Sequence, residues 1–319
     1  MSDMQEQALD AATVNRLFNQ NLFGHEPDSL VGLNEFEQLL YHKVCATVEQ
    51  QDKLAKFMPS PPTGIIGLLK ELDSADTNFT RIKDIAKEDP NIVGEIIRVS
   101  NSPLYLTRSG EITSLEKAIV LLGINGVAKV ASLVMMRDTV NLESSRYRSQ
   151  MRRLWSHCLN SAEACQLLGD GKQGFENFIL GLIHDIGSVT VFSLVSHFVD
   201  ASPGVAGDDL KVLQRVVAER ATWLSTLVAG EWGLPSHYLL ILNDYDRLLS
   251  DELDEDSLTL CEPQTRLLWL GSLCAKVYTL LRKQLVSRQA ALVFLSHSGL
   301  DEPTADKLFT RLDLANASY

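Results

Sequence analysis

The sequence predicts an all-α protein, a multi-helix bundle with helical extensions at both ends. Three observations carry this. Apolar residues recur at helical spacing along most of the chain, as in Leu33, Phe36, Leu40, Val44 and Val48. Helix-type starts and stops punctuate it: Asp89-Pro90 before NIVGEIIRVS, and Trp232-Gly233-Leu234-Pro235 after Ala221–Glu231. Period-two runs are scarce. The best of them, Ser188–Leu194, is rich in β-branched and aromatic residues, but one strand cannot form a sheet alone, so it too reads as helix.

Taken in order, Met1–Asn21 reads as an amphipathic helix with Leu9, Val14, Leu17 and Phe18 on one side. Phe23–Ser29 is a break, holding Gly24 and Pro27, with Asp28 or Ser29 as the next N-cap. Leu30–Phe57 is predicted as one long helix whose apolar stripe, including Leu39 and Leu54, packs on the body or on a second subunit. Residues 1–57 thus form an N-terminal helical extension. Pro59-Ser60-Pro61-Pro62 is a stiff boundary, because proline fixes φ and restricts its predecessor.

Short helices follow at Gly64–Leu72, Asn78–Lys87 (Ile82 and Ile85 inward), Asn91–Ser100, Ser114–Leu122 and Gly126–Arg137. A loop at Asn101–Tyr105 and a break at Gly123–Asn125 separate some of them. From Met151 onward come a helix carrying His157, an apolar helix ending at His184-Asp185, a helix after Asp208-Asp209, and Ala221–Glu231. Asp244–Glu262 is strongly acidic and reads as a solvated loop or frayed helix. Gln264–Gln284, Gln289–Leu295 and Glu302–Leu314 close the chain. The main domain is placed at residues 58–248, and residues 249–319 form the acidic loop and closing helices.

The chain has 319 residues, enough for a sizeable core without staples. Its formal net charge of −12 argues against general nucleic-acid binding and against docking on anionic membranes. Cys45, Cys158, Cys165, Cys261 and Cys274 form no CxxC pair and read as reduced thiols, mostly core. Met1–Asp10 is polar and acidic, unlike a signal peptide, and no apolar run was expected to reach membrane-spanning length. The location implied is cytoplasmic.

His184-Asp185 follows the apolar run Phe178, Ile179, Leu180, Leu182, Ile183 and precedes Ile186-Gly187. Buried His and Asp must be paired or must coordinate something. His157 lies upstream among Leu154, Cys158, Leu159, Ala162 and Cys165. Two readings stand: a metal site, or a buried hydrogen-bonded triad joining helices, the latter favoured.

The order of these pieces resembles the HD superfamily of metal-dependent phosphohydrolases, and more closely its HDOD branch, the HD-related output domain. The resemblance rests on Phe57-Met58-Pro59-Ser60-Pro61-Pro62, Glu88-Asp89-Pro90, Val99–Tyr105, Ile112–Ile119, Leu121-Leu122-Gly123, Leu154-Trp155-Ser156-His157, Gly181–Gly187 and Trp232–Pro235. It implies an HD-like helical bundle acting in bacterial signalling, as a regulatory module without established catalysis. Partners so implied are a protein in a signalling pathway and a nucleotide effector.

A working HD site adds a fourth ligand, an Asp on a later helix. Here residues 263–299 hold no Asp or Glu, and Ser272 takes the aligned position. Ser188 replaces a Lys found after the His-Asp-Ile-Gly motif. Leu239–Asp246 carries Asn243, Asp244 and Asp246 but none of the extra histidines of cyclic-dinucleotide-cleaving relatives. The resemblance therefore implies a vestigial set, His157, His184 and Asp185, with no resident cofactor and at most weakly held Mn, Fe or Zn. The alternative is an active phosphohydrolase on a nucleotide or cyclic dinucleotide. Arg146, Arg148, Arg152 and Arg153 form the one dense basic cluster. It reads first as a solvated face, with Arg152 and Arg153 as candidates for phosphate or effector binding.

Overall fold

The computed structural model describes residues 9–24, 32–72, 84, 86, 89–105, 111–140, 146–169, 171–201, 209–250 and 261–319. Among these there is no strand. The helices are α1 (Ala11–Phe23), α2 (Glu35–Val48), α3 (Gln51–Leu54), α4 (Thr63–Leu72), α5 (Pro90–Ser100), α6 (Leu115–Val140) and α7 (Arg148–Leu168). They continue as α8 (Gly174–Ile183), α9 (Ile186–Asp200), α10 (Asp209–Glu231), α11 (Ser236–Ser250), α12 (Pro263–Arg282), α13 (Arg288–His297) and α14 (Glu302–Ser318).

Local chemistry sets most ends. Asp10 caps α1 by accepting from the Thr13 amide, and Asp89 caps α5 with Pro90 in the first turn. Asn34 and Glu37 form a reciprocal capping box that starts α2 five residues later than the sequence predicts. The long helix expected over Leu30–Phe57 is broken after Val48, where Gln50 adopts an extended backbone. Leu33, Leu40, Val44, Val48 and Leu54 are buried, but Leu39 is 53% exposed. The expected caps Asp28 and Ser29 and most of the expected Asn78–Lys87 helix lie outside the described residues.

Gly123 breaks α6 with φ 69°, which only glycine adopts freely, so the expected break is real. One further expectation is corrected. The helix after Asp208-Asp209 and Ala221–Glu231 are one helix, α10, because no cap or breaker interrupts them. Of the two readings of the acidic stretch, loop or frayed helix, its first part is helix: α11 runs to Ser250, held by Tyr238, Ile241, Leu242, Tyr245 and Leu248 at helical spacing on its buried face.

The expectation about apolar length also fails. Leu115–Val140 and Gly174–Asp200 are each long and apolar enough to cross a membrane. Both are interrupted, by Gly123 and by the turn at His184-Asp185, and the second is 83% buried within the protein. Most of their apolar residues form core, though Val120 is exposed.

Helix α7 packs on α8 and α9 packs on α10, and α12 lies along α7. The N-terminal α2 covers α9 and α10, and α1 wedges against α12 and α7. Two boundary signals meet here: the Trp232 indole N–H donates to the Pro59 carbonyl at 2.9 Å. A second core, formed by α12, α13 and α14, takes in Val14 of α1 and Ala164 of α7.

Candidate functional site

The polar cluster sits where several helices converge. His157 projects from the middle of α7. His184 and Asp185 form the turn between α8 and α9. Two glycines let that turn approach its neighbours. A Cβ on Gly181 would lie 2.7 Å from the Ala162 backbone of α7, and one on Gly187 would strike the Ala221 carbonyl of α10. The Gly187 N–H instead donates to Ser225 Oγ at 2.9 Å. So the motif Gly-Leu-Ile-His-Asp-Ile-Gly pins His184 and Asp185 between two helices.

One ligand-type atom from each of His157, His184 and Asp185 lies within 4.8 Å of the others. Nε2 of either histidine is 3.9 Å from Asp185 Oδ2. The rings of His157 and His184 meet edge to face at 5.3 Å. His184 Nδ1 lies 2.8 Å from the Gly181 carbonyl, so Nδ1 carries the proton and donates, leaving a lone pair on Nε2. That Nε2 and His157 Nδ1 have no hydrogen-bond partner. Burial holds both imidazoles below the ordinary histidine range, His157 well below, and hence neutral. The Asp185 side chain is 24% exposed and opens toward a narrow crevice beside Met136, Trp155 and Val189.

The fourth side is closed by groups that are not metal ligands. Ser272 of α12 places Oγ 3.4 Å from His157 Nε2. Tyr245 of α11 stacks edge-on to His184 at 5.9 Å, and burial raises its phenol above the ordinary value. Phe18 of α1 covers His157 at 4.6 Å. Lys276, one turn beyond Ser272, donates to Asn15 Oδ1 at 2.8 Å, and its charge acts on both histidines and on Asp185.

The residues present do not reproduce the four-ligand HD set. A divalent ion there would meet two neutral imidazoles and one carboxylate, a donor set that suits Mn, Fe or Zn, with a serine where the HD pattern has a second carboxylate and an ammonium nearby that opposes a cation. Three donors with an unpartnered Nε2 could hold an ion, less tightly than the four-ligand set would.

The other sequence candidates fall elsewhere. Arg152 and Arg153 are exposed at the start of α7, and Arg153 donates to the Leu22 carbonyl at 3.1 Å, tying down α1. Arg146 pairs with Asp209 and Asp200. Asn243 is exposed, Asp244 and Asp246 are half-buried, and Ser188 is buried on α9. Trp223 is 37% exposed, whereas Trp232 is buried. Sequence reasoning missed Phe18, Tyr245 and Lys276. For Tyr245 a signal existed, its place in the buried period of α11. For Phe18 and Lys276 none did, since nothing local ties α1 to α12.

The HDOD domain profile matches residues 58–246. Among solved structures, the chain resembles a "Putative metal-dependent phosphohydrolase" from Shewanella amazonensis, with 19% identity and a TM-score of 0.60 over 88% of this chain and 99% of that one. It resembles an HDOD domain protein of unknown function from Geobacter sulfurreducens, with 18% identity and a TM-score of 0.56 over 82% and 92% of the two chains. A "Putative signal transduction protein" from Marinobacter aquaeolei is similar at 18% identity and a TM-score of 0.52, over 97% of this chain and 68% of that one. At these identities the likeness is one of fold. No curated protein matches.

Proposed function

The chain belongs to the HDOD domain family, and from that premise we propose that it is a non-catalytic signalling module, acting by binding a protein partner or a small effector. One observation carries this reading: the side chain that α12 turns toward His157 is Ser272, on a helix without a single carboxylate. In an HD site a metal-activated water attacks phosphorus, and the second carboxylate that helps hold that metal is missing here.

What the cluster can do is join elements. His157, His184-Asp185, Tyr245, Ser272 and Phe18 bring α7, the α8–α9 turn, α11, α12 and α1 to one point. A junction of this kind couples helices distant in sequence chiefly by side-chain packing, with the Ser272–His157 contact at 3.4 Å as a polar link between helices. That suits a module whose surface must respond to a bound molecule.

One observation favours the second reading, a phosphohydrolase acting on a nucleotide or cyclic dinucleotide: the unpartnered lone pair of His184 Nε2 close to Asp185. The test is metal content after purification without chelator, with turnover of a cyclic dinucleotide and of a simple phosphodiester in Mn, Fe or Zn. The expected result is neither stoichiometric metal nor turnover. Turnover that disappears in Asp185→Ala would establish the enzyme instead.

A further inference from the structure

A second charged cluster lies on the other side of α7. Lys129 of α6 is 1% exposed, ion-paired with the fully buried Glu163 of α7, and donates to Gln166 Oε1 at 2.9 Å. Its ammonium also lies 4.7 Å over the Phe178 ring. Arg311 of α14 donates from Nε to the other Glu163 oxygen at 3.0 Å. Burial pushes the Glu163 carboxyl up, but Lys129 and Arg311 outweigh it and hold it below its ordinary value.

These groups line a cleft of about 490 Å³, a size typical of small-molecule sites. Lys307 lines it too, so three cations face one carboxylate, an excess of two positive charges. Asn125 and Gly126, in the first turn after the Gly123 break, add the positive end of a helix dipole. The remaining wall is apolar and aromatic: Tyr105, Leu122, Leu167 and Leu314. A purely structural staple would need no third cation and no cavity beside it.

We propose that this cleft binds a nucleotide, with the phosphate held by Lys307 and Arg311, the buried Lys129 adding its charge from behind them, and the base against Tyr105 and the leucines. The inference rests on the effector-binding reading above and gives that effector a place and a chemical class. A doubly charged phosphate matches the excess charge, and a flat base matches the wall. Glu163 holds the two cations in position without neutralising the cleft.

The test is calorimetric titration of the full chain with adenosine and guanosine 5′-mono- and diphosphates, the two free nucleosides and inorganic phosphate. The nucleotides are expected to bind, the nucleosides not, and inorganic phosphate more weakly than either nucleotide. Lys307 is exposed, so Lys307→Glu keeps the fold and should weaken nucleotide binding by about tenfold or more. Arg311→Gln should weaken it as well, and Lys53→Glu on the distant α3 should not. Absence of nucleotide binding at millimolar concentration, binding indifferent to Lys307→Glu, or inorganic phosphate binding as tightly as nucleotide would each overturn the proposal. Loss of binding in Lys307→Glu bears on this cleft alone, whereas turnover lost in Asp185→Ala bears on the non-catalytic reading alone.

Discussion

At the scale of single residues, Ser272 and Lys129 make the sharpest statements. Ser272→Asp supplies the missing carboxylate 3.4 Å from a ligand-type nitrogen. Without metal it buries a charge near Asp185 and should lower the melting temperature. With Mn or Zn it should regain stability by binding linkage, a gain the native chain is expected to lack. A native chain that gains as much from metal would count against the vestigial reading. His184→Ala should cost about 1–3 kcal/mol whether or not metal is supplied, because it empties a buried site packed by His157 and Tyr245 and removes the hydrogen bond to the Gly181 carbonyl; urea melts with and without chelator check this. Lys129 is pulled down to about 8, chiefly by burial, with Arg311 adding to the effect and Glu163 opposing it. Between about 8 and the unfolded value near 10.4 the unfolded chain binds more protons, so this group's contribution to stability rises with pH there. Urea midpoints should therefore climb from neutral pH to pH about 9 relative to Lys129→Met, in which the group is gone. Nucleotide affinity should move the other way, falling as Lys129 loses charge beside Glu163, Arg311, Lys307, Tyr105 and Tyr319. The triad His157, His184, Asp185 was legible because ligand-type residues in apolar runs stand out locally. Lys129, Lys307 and Arg311 were not, since only the meeting of α6 and α14 at Glu163 of α7 brings them together.

At the scale of elements, the turn between α8 and α9 depends on two missing side chains. Gly187→Ala would drive a methyl into the Ala221 carbonyl and push α9 off α10. Overpacking of this sort costs about 1–3 kcal/mol, and here it also breaks the Gly187–Ser225 hydrogen bond. The expected outcome is a melting temperature several degrees lower, with helix content by circular dichroism unchanged well below the transition. Equal stability would mean that the turn does not need this close approach. Helix starts such as Asp89-Pro90 were readable because caps act within three residues. The division of α10 was misread, and the acidic end of α11 left open between loop and frayed helix, for the complementary reason. Acidic residues such as Asp244 and Asp246 look like loop in isolation, yet the opposite face carries Tyr238, Leu242 and Tyr245 into the core, and tertiary burial overrides the local signal.

At the scale of the whole molecule, the family region, residues 58–246, does not close its own site. Phe18 comes from α1, Ser272 and Lys276 from α12, and Arg311 from α14. The N-terminal helices bury Val14, Phe18, Leu22, Leu40, Val44 and Val48, and each large apolar side chain so buried is worth about 1.5–3 kcal/mol. Their partners on α9, α10 and α12 would be exposed by removal of residues 1–57, a loss comparable with the whole stability of an ordinary domain. A fragment of residues 58–319 is therefore expected to be poorly soluble and to melt well below the full chain. A fragment of residues 58–248, lacking α12 as well, should show no cooperative transition, because α7 then loses its longest neighbour and Glu163 loses Arg311, leaving Lys129 as its one remaining ion-pair partner here. Size-exclusion chromatography and thermal melts of the three lengths decide it. A monomeric 58–248 fragment that melts as cooperatively as the full chain would show that the extensions are attachments, whereas the packing makes them part of the body that α7 organises.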